Sequence, residues 1–267
     1  MKYSILALLT MSFCGAANAY KMETITIDSQ AIKKDHKAIV VLPDSYQKDS
    51  DYPVVYVLHG WSGDYKSWTE GTSIAQQADR HNLILVMPDG NYDKWYIDSP
   101  VLKGSNYQSY IAKDVVSYID KHYSTRAEKS QRAITGLSMG GYGALHISLM
   151  NPDTFGNAGS ISGGVNPANF PYNWGLENVL GDPVQNKILW EKKAIKFNAH
   201  KFLSGINLTL DCGASDFFIQ DNRELHQLLN QYNIAHDYTE RPGGHTWDYW
   251  NNAIAYQMIY FADKFSE

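Results

Sequence analysis

One serine in the chain is flanked in a way that suits nucleophilic chemistry. In Ala133-Ile134-Thr135-Gly136-Leu137-Ser138-Met139-Gly140-Gly141-Tyr142-Gly143-Ala144 an apolar run meets a glycine-bracketed serine and then a helix-forming stretch. The spacing G-x-S-x-G is that of a serine raised on a tight strand-to-helix turn. The backbone at such a tip is strained, so the positions two residues away on either side must be small. Gly136 and Gly140 meet that need, and Gly141 and Gly143 let the following helix lie close to the sheet. The start of that helix aims backbone N–H groups at the point where negative charge would develop. The motif alone also fits an ordinary glycine-rich turn, so its meaning depends on what the rest of the chain supplies.

A serine hydroxyl is a poor nucleophile at neutral pH and needs a general base that a carboxylate orients. For a serine on this kind of turn, the acid and then the histidine come from later loops. Of nine histidines, His245 in Pro242-Gly243-Gly244-His245-Thr246-Trp247 stands in a loop between the last expected strand and the terminal helix. Its two preceding glycines permit a sharp approach. His226 and His236 fall in or beside regular elements. Asp211, Asp216 and Asp221 all follow or end a strand expected over 206–210. Asp211 is still on the strand, and Asp221 precedes Asn222-Arg223-Glu224 as a helix N-cap with Glu at the third position. Asp216, in Gly213-Ala214-Ser215-Asp216, sits on the loop without an evident structural task and is the expected acid. Two backbone N–H groups must hold the oxyanion. Met139, directly after the serine, supplies one, and Trp61 in His59-Gly60-Trp61-Ser62-Gly63 the other. His59 is expected beneath that loop as a hydrogen-bonded support. No His/Asp/Glu cluster has metal-ligand spacing, and the lysine of a P-loop is absent, so neither a metal nor a cofactor is expected.

The elements that must carry these residues alternate along the chain. Residues 23–28 and 38–42 read as strands near a sheet edge, and Pro53-Val54-Val55-Tyr56-Val57-Leu58 and Leu83-Ile84-Leu85-Val86-Met87 as buried parallel strands. Helices are expected over 67–80, 107–123, 222–232 and 247–265, and further strands over 157–161 and 236–240. Residues 163–204 break the rhythm with Pro167, Pro171, Pro183, Trp174 and Trp190, and read as a lid-like insertion over the strand ends. The expected fold is a mostly parallel α/β sheet with helices on both faces, in one catalytic domain over 20–267.

Leu58-His59-Gly60-Trp61, Pro88-Asp89-Gly90, Gly136-Leu137-Ser138-Met139-Gly140-Gly141, Gly213-Ala214-Ser215-Asp216 and Pro242-Gly243-Gly244-His245-Thr246-Trp247 occur in that order over nearly the whole chain. Together they resemble the esterase D-type branch of the α/β hydrolases. That branch includes S-formylglutathione hydrolases, feruloyl and acetyl xylan esterases of carbohydrate esterase family one, tributyrin-type esterases and mycolyltransferases. The resemblance implies an α/β-hydrolase fold and a Ser138–His245–Asp216 triad working through an acyl-enzyme. Within the branch these motifs do not separate substrates.

The remaining features narrow the setting. The chain of 267 residues carries a net charge of −5 and no basic cluster, which disfavours nucleic acid as a partner. Met1-Lys2-Tyr3, the apolar run that follows and Ala17-Asn18-Ala19 read as a secretory signal peptide over 1–19, cut after Ala19. Its length is too short for a membrane span. Cys14 offers a lipoprotein reading that Phe13 disfavours. Cleavage after Ala19 leaves Cys212 as the one cysteine, so no internal disulfide could form. A secreted or periplasmic esterase would meet acylated polysaccharide or oligosaccharide rather than cytosolic glutathione thioesters. Feruloyl or acetyl esters are the expected substrates, with a broad short-chain carboxylesterase or an acyltransferase next. A catalytically silent carbohydrate-binding protein is the alternative of another class. Trp95 and Tyr96, on the loop after the 83–87 strand, are expected at the cleft mouth with Trp247, where they could stack on a sugar or phenolic ring.

Overall fold

Along the central strand, Val54, Tyr56 and Leu58 face one side and Val55 and Val57 the other, and all five are buried. This is why the run is apolar throughout: period-two alternation with both faces covered requires it. The computed structural model describes residues 20–267, so the signal segment expected over 1–19 lies outside the described residues. Among the described residues eight strands form one sheet: β1 (Tyr20–Ser29), β2 (Lys34–Pro43), β3 (Val54–Leu58), β4 (Ile84–Pro88), β5 (Arg132–Gly136), β6 (Asn157–Ile161), β7 (Asn207–Gly213) and β8 (Asp237–Arg241). Their order is β1-β2-β4-β3-β5-β6-β7-β8. β1 and β2 are antiparallel additions at one edge, and the other six strands run parallel.

The helices in chain order begin with α1 (Ser67–Gly71) and α2 (Ala75–His81). Then come α3 (Tyr107–Ser109) and α4 (Val116–His122), joined by a π-helical stretch, Tyr110–Val115. The elbow helix is α5 (Met139–Met150). The insertion holds α6 (Leu176–Leu180), α7 (Lys187–Lys193) and α8 (Ile195–Asn198). The last two are α9 (Ile219–Gln231) and α10 (Trp247–Lys264). On one face Tyr142 and Leu145 of α5, Ile119 of α4 and Leu225 of α9 pack against Tyr56, Ile134 and Leu208. On the other, Ala78 of α2 and Ile254 and Phe261 of α10 pack against Val55, Val57 and Leu85. Each such aliphatic side chain contributes about 1.5–3 kcal/mol on burial. Among the described residues, no helix is long and apolar enough to cross a membrane.

Two expectations need correction. The helix expected over 67–80 is broken, because Thr72 is extended and its hydroxyl donates to Trp68 O (2.6 Å) while accepting from Ile74 N–H (3.2 Å). Such side-chain bonds compete with helix continuation. The helix expected from 222 starts at Ile219 instead, so Asp221 lies inside the first turn of α9 and is not its N-cap. The insertion has no core of its own. Leu176, Val179, Trp190, Ile195 and Phe202 belong to the same buried cluster as the sheet.

Candidate active site

The strand order brings the C-terminal ends of β3, β5, β7 and β8 to one rim, where ligands of open α/β sheets bind. Ser138 sits between β5 and α5 at φ 54°, ψ −117°, a conformation that non-glycine residues rarely adopt. The surroundings hold it there. Ser138 N–H donates to Ile161 O (2.9 Å), and its own carbonyl accepts from Tyr142 and Gly164 N–H (3.1 and 3.2 Å). The flanking glycines are sterically required. A Cβ at Gly136 would lie 2.5 Å from Leu58 O, and one at Gly140 would collide with the carbonyls of Leu58 and His59. The backbone of the β3 loop therefore passes directly against the elbow.

His245 and Asp216 meet through their loops. Ser215 N–H donates to Gly243 O (2.9 Å) and Ala214 N–H to Arg241 O (2.8 Å), which ties the loop after β7 to the loop after β8. A Cβ at Gly213 would lie 2.5 Å from Gly243 O, so that approach depends on glycine. His245 Nδ1 is 2.9 Å from Asp216 Oδ2. Asp216 is buried, and its other oxygen accepts from Phe218 N–H at 2.9 Å. It thus has the structural task that the sequence did not reveal: it fixes the entry to α9. Asp211 is taken up beneath the site by Arg241 and by Tyr249 Oη (2.5 Å), with burial pushing its carboxyl above the usual range. Asp221 accepts from Asn169 Nδ2 at 2.5 Å. Neither faces His245.

Ser138, His245, Trp61 and Trp247 line one open cleft of about 390 Å³, together with Trp174 and Phe217. Met139 is the first residue of α5, so its N–H is among the four that a helix leaves without an internal partner. The other expected donor, Trp61 N–H, is aimed by His59. Gly90 N–H donates to His59 Nε2 (2.8 Å), which leaves the ring proton on Nδ1 to donate to Gly60 O (2.8 Å). Gly63 N–H reaches the same oxygen at 3.1 Å. In a trans peptide C=O and N–H point in opposite directions, so the bonds that hold Gly60 O also fix the direction of Trp61 N–H. Burial holds the His59 imidazole below its usual value and keeps it neutral.

Trp95 and Tyr96 are not at the cleft mouth. Both are buried, one layer beneath it. The Tyr96 ring fills the space between Gly90 and Gly143, and its hydroxyl donates to His59 O (3.1 Å). The Trp95 indole N–H donates to Trp174 O at 3.0 Å. On the same loop Tyr92 is exposed and lies edge-on to the cleft-lining Trp61, with ring centroids 5.1 Å apart. Trp174 and Phe217 also escaped the sequence reading. Phe217 carried one signal, its place directly after the expected acid. Trp247 does face the cleft, seated on Gly71, where a Cβ would lie 2.5 Å from its ring. Trp250 is mostly buried and donates to Ser162 Oγ (3.2 Å).

The model of the Esterase family matches residues 29–261. The chain belongs to that family. An acetyl esterase of Caldicellulosiruptor saccharolyticus is 29% identical over 255 residues, which covers 86% of this chain and 94% of that protein. Among solved structures, a ferulic acid esterase is similar with a TM-score of 0.79 and 25% identity, over 92% of this chain and 98% of that one. The fluorophosphonate-binding serine hydrolase F of Staphylococcus aureus has the same fold, with a TM-score of 0.81 at 24% identity over 92% and 99% of the two chains. This chain is an esterase on an α/β-hydrolase fold.

Proposed function

We propose that Ser138, His245 and Asp216 form the catalytic triad of a secreted esterase that removes feruloyl or acetyl groups from plant polysaccharide. The observation that carries the catalytic part is the strained Ser138 in one cleft with a His245 whose Nδ1 is 2.9 Å from the buried Asp216. Ser138 Oγ attacks the ester carbonyl while His245 Nε2 takes its proton. Asp216 keeps the other ring proton on Nδ1 and stabilises the imidazolium. The N–H groups of Met139 and Trp61 hold the oxyanion, worth about 10²–10³ in rate for each donor. The C–O bond to the alcohol breaks as His245 returns the proton to that oxygen, and water then cleaves the acyl-enzyme by the same route.

Three features support the substrate class: the relative named as an acetyl esterase, the structure named as a ferulic acid esterase, and a cleft lined by Trp61, Trp174, Phe217 and Trp247. The signal-like residues 1–19 support export to the compartment where such polymers are found. Purified protein should hydrolyse p-nitrophenyl acetate, and Ser138→Ala should lose at least about 10⁴-fold in kcat. Equal rates for the two proteins would sink the triad. Methyl ferulate, acetylated xylan and tributyrin separate the substrate readings. Preference for tributyrin over both others would replace the polysaccharide reading with a general short-chain esterase.

A further inference from the structure

The alcohol half of the ester must lie beside His245. Nδ1 of that ring is committed to Asp216, so Nε2 is the nitrogen that hands the Ser138 proton to the departing oxygen. Whatever is bonded to that oxygen therefore rests on the surface next to the imidazole. That surface is aromatic. Phe217 lies 4.2 Å from the His245 ring, centroid to centroid, and is itself stacked on Trp174 at 5.8 Å with planes 19° apart. Phe217 is 59% exposed, although apolar rings of this size are usually covered.

The two rings come from different elements, Phe217 from the loop after β7 and Trp174 from the insertion. The insertion takes some trouble to present its ring. Trp174 has φ 53° and Gly175 φ 73°, two left-handed residues in succession, and for a tryptophan this is a strained backbone retained only where the surroundings enforce it. The enforcing contact is the Trp95 indole N–H on Trp174 O, from a ring packed against Phe170 and Tyr142. The chemistry of the cleft also limits what fits. Among the described residues, Leu137 is its only aliphatic lining residue, so those walls form no greasy tube for an alkyl alcohol. A flat, open aromatic face suits a ring with an apolar C–H face and hydroxyls directed to water.

We infer that Phe217 and Trp174 form the alcohol-side subsite, that its occupant is a sugar ring, and that Trp95 is the positioning residue for Trp174. This rests on the ester-hydrolysis reading above and adds which half of the substrate the esterase selects.

The test compares esters that share an acyl group and differ in alcohol: methyl ferulate against a feruloyl arabinofuranoside, and ethyl acetate against an acetylated methyl xyloside. The readout is the ratio of kcat/KM, sugar ester over simple ester, which cancels any general effect on His245. The wild-type ratio should exceed one by about two- to tenfold, the range of an aromatic stacking contact. Phe217→Ala and Trp174→Ala should each bring it to near one. Trp174→Phe, which keeps a ring, should retain most of the preference. Trp95→Phe, which keeps an aromatic ring and loses the N–H with part of the indole's bulk, should lower it. An unchanged ratio in both alanine variants overturns the subsite, and an unchanged ratio in Trp95→Phe overturns the positioning role. A wild type that cleaves p-nitrophenyl acetate and neither sugar ester removes the carbohydrate reading itself.

Discussion

At Asp216 two tasks share one side chain: one oxygen faces His245 and the other holds the N–H of Phe218 at the entry to α9. Asp216→Asn should therefore lower kcat by about 10⁴, because the amide favours the wrong imidazole tautomer. Asp221→Asn, at a half-buried position in the first turn of the same helix, should change kcat less than about threefold. The opposite ranking in steady-state assays would move the acid. His59 carries the second prediction. His59→Phe keeps an aromatic ring and loses the hydrogen bond to Gly60 O that orients the Gly60–Trp61 peptide, together with the one from Gly90 N–H that orients the imidazole. It should cost about 10²–10³ in kcat with little change in KM, as expected for a contact used only in the transition state. A rise in KM with kcat intact would limit His59 to packing. At this scale the sequence was legible where spacing encodes sterics, as at Gly136 and Gly140. It misled at Trp95 and Tyr96, because an aromatic residue on a loop reads the same whether its ring faces solvent or the layer below.

Between elements, the site is built from close backbone approaches. The β3 loop and the elbow can touch only because Gly140 has no side chain. Gly140→Ala should destabilise the fold by about 1–3 kcal/mol, since the atoms it meets are backbone carbonyls that cannot swing aside. Denaturant titration measures this. A neutral result would mean that β3 and α5 separate more easily than their contact implies. The strands and the long helices were readable because period-two and helical patterns persist over many residues. The break after α1 and the early start of α9 were not, because each is set by one hydroxyl or one carboxylate finding a backbone partner. The insertion was least legible. Its helices take their order from packing into the sheet's own core, and no local pattern announces that, nor which of its tryptophans is left facing the cleft.

Among the described residues, three histidines are buried without belonging to the proposed triad. His36, His59 and His146 are all held below the usual 6.5 chiefly by burial, His146 also by Lys193 and Lys201. The unfolded chain takes up protons at these rings as pH falls below about 6.5, while the native state does so only at lower pH. Stability should therefore be complete above that range and decline on acidification. His146 stacks on Tyr142 with its Nε2 unpartnered. His146→Phe removes one such site, so its Tm should fall less than that of wild type between pH 7 and pH 5. Parallel melting curves would show that His146 is not among the groups responsible.

The left-handed serine has a consequence for how this enzyme can change over time. A backbone held at φ 54° costs on the order of 1–3 kcal/mol in a residue with a Cβ, and a glycine there would relax it at an entropic cost of about 0.5–1 kcal/mol. Ser138→Gly should then abolish turnover and yet melt about 2–4 °C higher than wild type. Thermal selection and catalytic selection pull this one position in opposite directions. A lineage released from the need to cleave esters would be expected to lose its serine first and to gain robustness by doing so.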